Sequence, residues 1–224
     1  MGSPKDEEGR DDNEKLHSVS VEKGFYIDQF ELKQRAWKIV MNGNPSFWKD
    51  DDLPIESVSW IDAMEFCNRL TILERDKKRL PLDWSFTLPT EAQWEYACRA
   101  GSNSAFNCGD ELSSDEANID GSIQYGASRI GRKSFGTIKC GSFNPNKFGL
   151  YDMHGNVWEW CRDWYAKDNL KYTNGSIPEK GLYKVKRGGS WFNGAHSVRS
   201  AKRFYSSNKY KNQTLGFRIV LINQ

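Results

Sequence analysis

Asn146-Lys147-Phe148-Gly149-Leu150-Tyr151-Asp152-Met153-His154-Gly155-Asn156-Val157-Trp158-Glu159-Trp160 sets two glycine turns in front of a short run of indoles. Trp158 to Trp160 reads as a strand in a core of large aromatics. Asp152 and Glu159 stand seven residues apart across the tight Gly155 turn, a spacing that lets two carboxylates converge. Upstream, Phe86-Thr87-Leu88-Pro89-Thr90-Glu91-Ala92-Gln93-Trp94-Glu95-Tyr96-Ala97 carries a capping box, Thr90 with Gln93, and Gly101 closes the helix that follows. Trp94, Ala97 and Cys98 supply its buried side. Ser59 with Asp62 opens a second helix over Trp60 to Asp76, with Trp60, Ala63, Met64, Cys67, Leu70 and Leu73 on one face. Phe25 to Asp28 reads as a strand, Glu31 to Met41 has helical spacing, and 42–46 is a turn. Downstream, short strands are expected around Val185–Trp191 and Gly216–Ile222. The Gly-, Ser- and Asn-rich stretch from Gly101 to Phe148 is a loop of the length that carries function or is held by an ion.

Composition agrees with an α+β domain containing much irregular structure. The chain has 224 residues with 9 Trp, 9 Tyr, 12 Phe and 19 Gly, and its mean hydropathy is −0.76. Such a core rests on few, large side chains, and a chain this long buries about 70% of its unfolded surface without staples. No apolar run approaches the roughly 18 residues of a membrane span. Residues 1–18, highly charged, read as a disordered or expression-derived lead-in, and 19–224 as one domain. Cys67, Cys98, Cys108, Cys140 and Cys161 form no CxxC pair, which argues against a zinc ribbon or a dithiol centre. Of 32 bases, nine lie in 184–224 with no acid among them, leaving 23 against 30 acids elsewhere. A basic end favours an anionic partner. Several of these bases sit in motif-like positions, however, so nucleic acid is not expected.

Taken in order with Arg187-Gly188-Gly189-Ser190-Trp191 and Leu215-Gly216-Phe217-Arg218, the two blocks above resemble the formylglycine-generating-enzyme (sulfatase-modifying factor) family over roughly 20–222. The resemblance implies a C-type-lectin-like fold, with Trp158, Trp160, Trp164 and Trp191 as core and Arg199, Arg203 and Arg218 as buried scaffold. The family's oxidases carry two copper-binding cysteines shortly after the Gly-Gly-Ser block. Here 192–214 contains no cysteine, and Asn193 stands in the first one's place. Asparagine offers no thiolate to a soft metal, so no copper and no enzyme activity are expected. A three-histidine iron site, used by another branch, finds no match in His17, His154 and His196.

Residues 192–214 read as loop with the composition of a paratope: aromatic anchors among small polar groups. Ala195, Arg199, Ala201 and Arg203 read as fixed, inward-facing frame. Phe192, Asn193, Gly194, His196, Ser197, Lys202, Phe204, Tyr205, Ser206, Ser207, Tyr210, Asn212, Gln213 and Thr214 read as a ligand-binding surface. Phe, Tyr, Ser, Gly, His and Thr are each reached from an Asn codon by changing adenines alone. In this the segment is similar to the variable proteins of diversity-generating retroelements, the treponemal kind above all. That likeness implies a non-catalytic, monomeric binding protein for an unknown protein or surface ligand. It implies a place at the cell surface or outside the cell, with membrane contact only through a removed lipid anchor. The alternative is an oxidase relative acting on a sulfatase-type cysteine, or an inactive scaffold. The family resemblance also implies calcium, held by Asp152, Glu159 and the carbonyls of Gly155 and Val157. A second site would use Asn118 and the Ile119 carbonyl.

Overall fold

Ser59 and Thr90 start the two long helices as their capping boxes require. The Ser59 hydroxyl accepts from the Asp62 N–H at 3.1 Å while Asp62 accepts from the Ser59 N–H at 2.9 Å. Thr90 and Gln93 repeat the exchange at 3.1 and 2.8 Å. A computed structural model of the protein describes residues 1–168, 170 and 176–223. In chain order these form β1 Phe25–Ile27, α1 Gln34–Val40, α2 Trp60–Asp76, β2 Trp84–Thr87, α3 Glu91–Arg99, β3 Trp158–Trp164 and β4 Lys184–Arg187. A 3-10 turn at Ala195–Ser197, β5 Phe204–Ser206, β6 Leu215–Gly216 and β7 Val220–Asn223 follow.

One sheet has the order β1-β7-β2 and is antiparallel throughout. The other has the order β5-β4-β3-β6, with only β6 parallel to its neighbour. α2 lies against β2 of the first sheet, and its Phe66 stacks on Trp37 of α1 at 5.6 Å and meets Phe217 edge-on at 5.7 Å. α3 packs Trp94, Ala97 and Cys98 against Met153, Cys161 and Val185. A third cluster, around Phe106, Ile119 and Tyr125, closes over Ala195 and Val198. The long loop is thus pinned to the turn that carries the expected binding segment. Among the described residues no helix is long and apolar enough to cross a membrane.

Four expectations need correction. Residues 1–18 are an ordered strap: Gly2, Ser3 and Glu14 are buried. The Gly2 N–H donates to Glu95 at 2.8 Å, and Glu14 is consumed by Arg199. α1 begins at Gln34, not Glu31, because the Glu31 side chain turns inward to accept from Val157 and Asn156. β4 stops at Arg187, since Gly188 and Gly189 take φ of 88° and 72°, a left-handed backbone that leaves the sheet. Finally, 204–206 is not loop but an edge strand paired to β4.

Candidate functional site

β4 alternates between two environments. Val185 and Arg187 face α3, where the Arg187 guanidinium, fully buried, donates to Glu95 and to the Lys202 carbonyl. Three more buried arginines complete an inner frame. Arg203 forks onto both oxygens of Glu91 at 2.7 Å. Burial raises the Glu91 carboxyl, and the Arg203 and Arg187 charges outweigh it, leaving the carboxyl below its usual range. Arg199 meets Glu14 at 2.8 and 2.9 Å, with Glu7 and the Gly9 carbonyl beside it. Arg218 forks onto Glu159 at 2.7 Å. Together with Ala195 and Ala201, at 1% and 0% exposure, these side chains hold 192–218 from beneath.

The outer side of the same segment is aromatic and open. Phe192, His196, Phe204, Tyr205, Ser207 and Tyr210 are exposed, while Asn193, Ser197, Lys202, Ser206, Asn212, Gln213 and Thr214 are half-buried. Gly194 corrects the expectation: it is buried, and a β-carbon there would meet Ile123 at 2.8 Å. The register sets Lys186 opposite Phe204 and Val185 opposite Tyr205. Phe204 lies over Trp158 at 5.5 Å, whereas Tyr205 stacks on Tyr165 at 4.1 Å. The two rings still stack on each other at 5.9 Å, so Trp158, Phe204, Tyr205 and Tyr165 form one continuous aromatic run along β5. A second run leads from Phe192 through Trp191, 5.6 Å away, to Trp48 and the exposed Phe47. The reading of the sequence missed Phe47 and Trp48, which lie in a turn far from the segment. It also passed over Lys184 and Lys186 as ordinary bases, although both are buried beneath the face.

Glu159, expected to share a cation with Asp152, is committed to protein partners. Both Glu159 oxygens are engaged by Arg218, and one also accepts from the Trp94 indole at 2.7 Å. A carboxylate neutralised in this way has little left for calcium. Glu31 takes its place: ligand atoms of Glu31, Cys140 and Asp152 lie within 4.8 Å of one another. Asp152 Oδ1 is buried without a partner, and burial raises both carboxyls, Glu31 strongly. Burial and Glu31 also push the Cys140 thiol far up, so it offers no thiolate. The pair of carboxylates suits a hard cation rather than a thiophilic one. Asn118, proposed for a second site, spends its amide on Gly136 and Asn156 and accepts from Ser134 at 2.6 Å.

No nucleophile is poised elsewhere among the described cysteines, which are all free. Cys98 lies 3.9 Å from His154, but burial pushes that thiol up to about 12. The imidazole is held neutral, with its pKa lowered by burial to about 4. Its Nε2 accepts from the Asn107 N–H at 3.0 Å and its Nδ1 faces the Val198 carbonyl at 2.7 Å, so the ring is a brace and not a base. Cys108, the exposed thiol, is likewise raised, by partial burial and Glu116.

The sulfatase-modifying factor enzyme 1-like domain model matches residues 1–222, the N-terminal strap included. A chaperone protein LppX of Paenibacillus barcinonensis is 30% identical over 210 residues, 78% of this chain and 71% of the relative. The formylglycine-generating enzyme of Mus musculus is 32% identical over 197 residues, 84% of this chain but 49% of that enzyme. The chain thus spans about half the length of the mouse enzyme. Among solved structures, Treponema denticola variable protein 1 superposes with a TM-score of 0.76 at 26% identity, covering 100% of this chain and 91% of its own. PvdO from Pseudomonas aeruginosa gives 0.79 at 28% identity, covering 99% and 90%. The fold is the C-type-lectin-like one expected.

Proposed function

The chain belongs to the sulfatase-modifying factor enzyme 1-like domain family, and on that premise we propose that it is a non-catalytic member whose 192–214 face captures a protein or surface ligand. One contrast carries the reading. Beneath the segment, Arg187, Arg199, Arg203 and Arg218 are locked into buried ion pairs, while above it Phe192, Phe204, Tyr205 and Tyr210 stand 40 to 61% exposed. Large aromatics left in water on a rigid support are the make-up of a recognition surface. At the position of the oxidases' first cysteine, Asn193 accepts from the Ser190 hydroxyl at 2.7 Å, a contact that shapes the turn and offers no redox chemistry. The adenine-related spelling of the segment supports diversification by a retroelement, and display at a cell surface fits such a binder. A structural cation at Asp152 and Glu31 belongs to the same reading.

The test is to randomise Phe192, Phe204, Tyr205 and Tyr210 together and select displayed variants against several unrelated proteins. Specific binders with an unchanged melting midpoint are expected, each retained aromatic contributing about 2 kcal/mol or more where it is a hot spot. A library that yields only unfolded or non-binding variants would leave an inactive scaffold as the better description. A reverse-transcriptase gene beside an adenine-rich copy of the segment is the matching genomic observation.

A further inference from the structure

Lys184 and Lys186 leave β4 on the same side, two residues apart, and both enter aromatic surroundings. Their chemistry differs. The Lys184 ammonium lies between the rings of Trp60 and Trp164, 3.9 and 3.8 Å from their centroids, and donates to the Arg162 carbonyl at 2.9 Å. The Lys186 ammonium faces Trp158, Phe204 and Tyr210 at 5.2, 5.0 and 5.5 Å, and among the described residues it has neither a hydrogen-bond acceptor nor a carboxylate. The residue is only 6% exposed, yet two walls of its cup, Phe204 and Tyr210, are 46% and 44% exposed and belong to the outer face. An amine so placed has given up most of its hydration and received only ring quadrupoles in return. Burial alone lowers its pKa, to about 8, with no neighbouring charge opposing the shift. The surrounding segment, 184–224, carries nine bases and no acid.

We infer that Lys186 is the anchor of a carboxylate-binding subsite in the face, filled by an Asp or Glu side chain of the partner protein whose body rests on Phe204 and Tyr210. One ammonium inside an aromatic rim matches a monoanion with an apolar stem. A phosphate dianion would need several donors converging on it, and the cup provides one. A docked carboxylate would supply the missing ion pair and acceptor at once, in a water-poor setting where charge pairs are strong. The inference rests on the ligand-face reading and gives that face a chemical preference: rims and walls vary, and the buried cation stays.

The side-chain amine of Lys186 can be followed by nuclear magnetic resonance while the full chain is titrated with sodium propionate, with sodium chloride at equal ionic strength as the reference arm. The expected result is a saturable shift at Lys186 and the Phe204 ring, with the Lys186 pKa rising, and no such response to chloride. Lys186→Met should remove the saturable response at Phe204, and Lys209→Met, on the exposed surface, should leave it intact. A Lys186 that responds to propionate only as Lys209 does, linearly and without saturation, would overturn the subsite, and that outcome needs no variant to fold. The two ideas fail separately. Propionate binding in a protein whose randomised face selects no partner would sink the ligand-face reading alone, and partner binding with an unresponsive Lys186 would sink the subsite alone.

Discussion

Glu14→Gln is the sharpest test of how the face is supported. Arg199 and Glu14 are both 0% exposed, and the carboxylate takes two charge-assisted hydrogen bonds from the guanidinium. Glu14 also accepts from the Ser3 hydroxyl at 3.0 Å, so the same group fastens the strap's first turn. Removing one partner of a buried ion pair costs about 3–5 kcal/mol, because the other charge stays in the interior uncompensated. Glu7 and the Gly9 carbonyl still touch Arg199, and the amide keeps one acceptor oxygen. The loss therefore belongs at the low end, about 3 kcal/mol, and in a domain of this size that lowers the melting midpoint by about 6–12 °C. Thermal and urea denaturation followed by circular dichroism measure it. Glu8→Gln, whose carboxylate accepts from Gly126 at the surface, is the matched control and should stay within about 0.5 kcal/mol. A Glu14→Gln protein as stable as that control would mean that residues 1–18 do not dock, and the strap would have to be given up.

Three further outcomes are expected. Incubated with copper, reductant, oxygen and a Cys-x-Pro-x-Arg peptide, the protein should convert none of the cysteine to aldehyde, as no thiol lies in 192–214; mass spectrometry of the peptide decides it. Calcium should stabilise the fold by about 2.7 kcal/mol at a hundred times its dissociation constant, and so raise the melting midpoint. Asp152→Asn should abolish that gain, and a midpoint indifferent to calcium and chelator would remove the ion from the account. Burial and the Glu91 charge raise the Asp163 carboxyl to about 7, so the folded state holds its proton more tightly than the unfolded chain. Its ionisation therefore subtracts stability as pH climbs from about 4 to 7. Relative to wild type, Asp163→Asn should gain stability over that window, by at most about 4 kcal/mol, and parallel stability-versus-pH curves would refute the assignment.

What could be read ahead of the structure was local. The capping boxes at Ser59 and Thr90 need only residues three apart, and both helices begin there. The indoles of β3 announce themselves by size, and Trp160 is fully buried as expected. Pairings at long range stayed hidden. Glu159, expected to hold an ion, is taken by Arg218, which lies 59 residues along the chain and also donates to the Tyr151 carbonyl, a pairing that no local pattern announces. The strap was misread for a related reason. Six acids among the first 14 residues look like a solvated tail, and hydropathy alone cannot distinguish water from a buried guanidinium as their partner.

Charge bookkeeping over distance could have found the strap. A stretch with nine bases and no acid cannot bury its arginines without borrowing carboxylates from elsewhere. The lenders are Glu14 and Glu7 for Arg199, Glu91 for Arg203, Glu95 for Arg187 and Glu159 for Arg218. Every one of these acids lies upstream of the basic end, so the frame under the outer face is complete only where upstream segments dock on it. The bookkeeping then fails to close at one buried position of that stretch. Lys186 receives neither a carboxylate nor a carbonyl from the described chain, only the rings of Trp158, Phe204 and Tyr210. A frame that neutralises its four arginines so completely, and leaves a largely dehydrated ammonium under the rim of its aromatic face, has its remaining demand for negative charge where a partner would arrive.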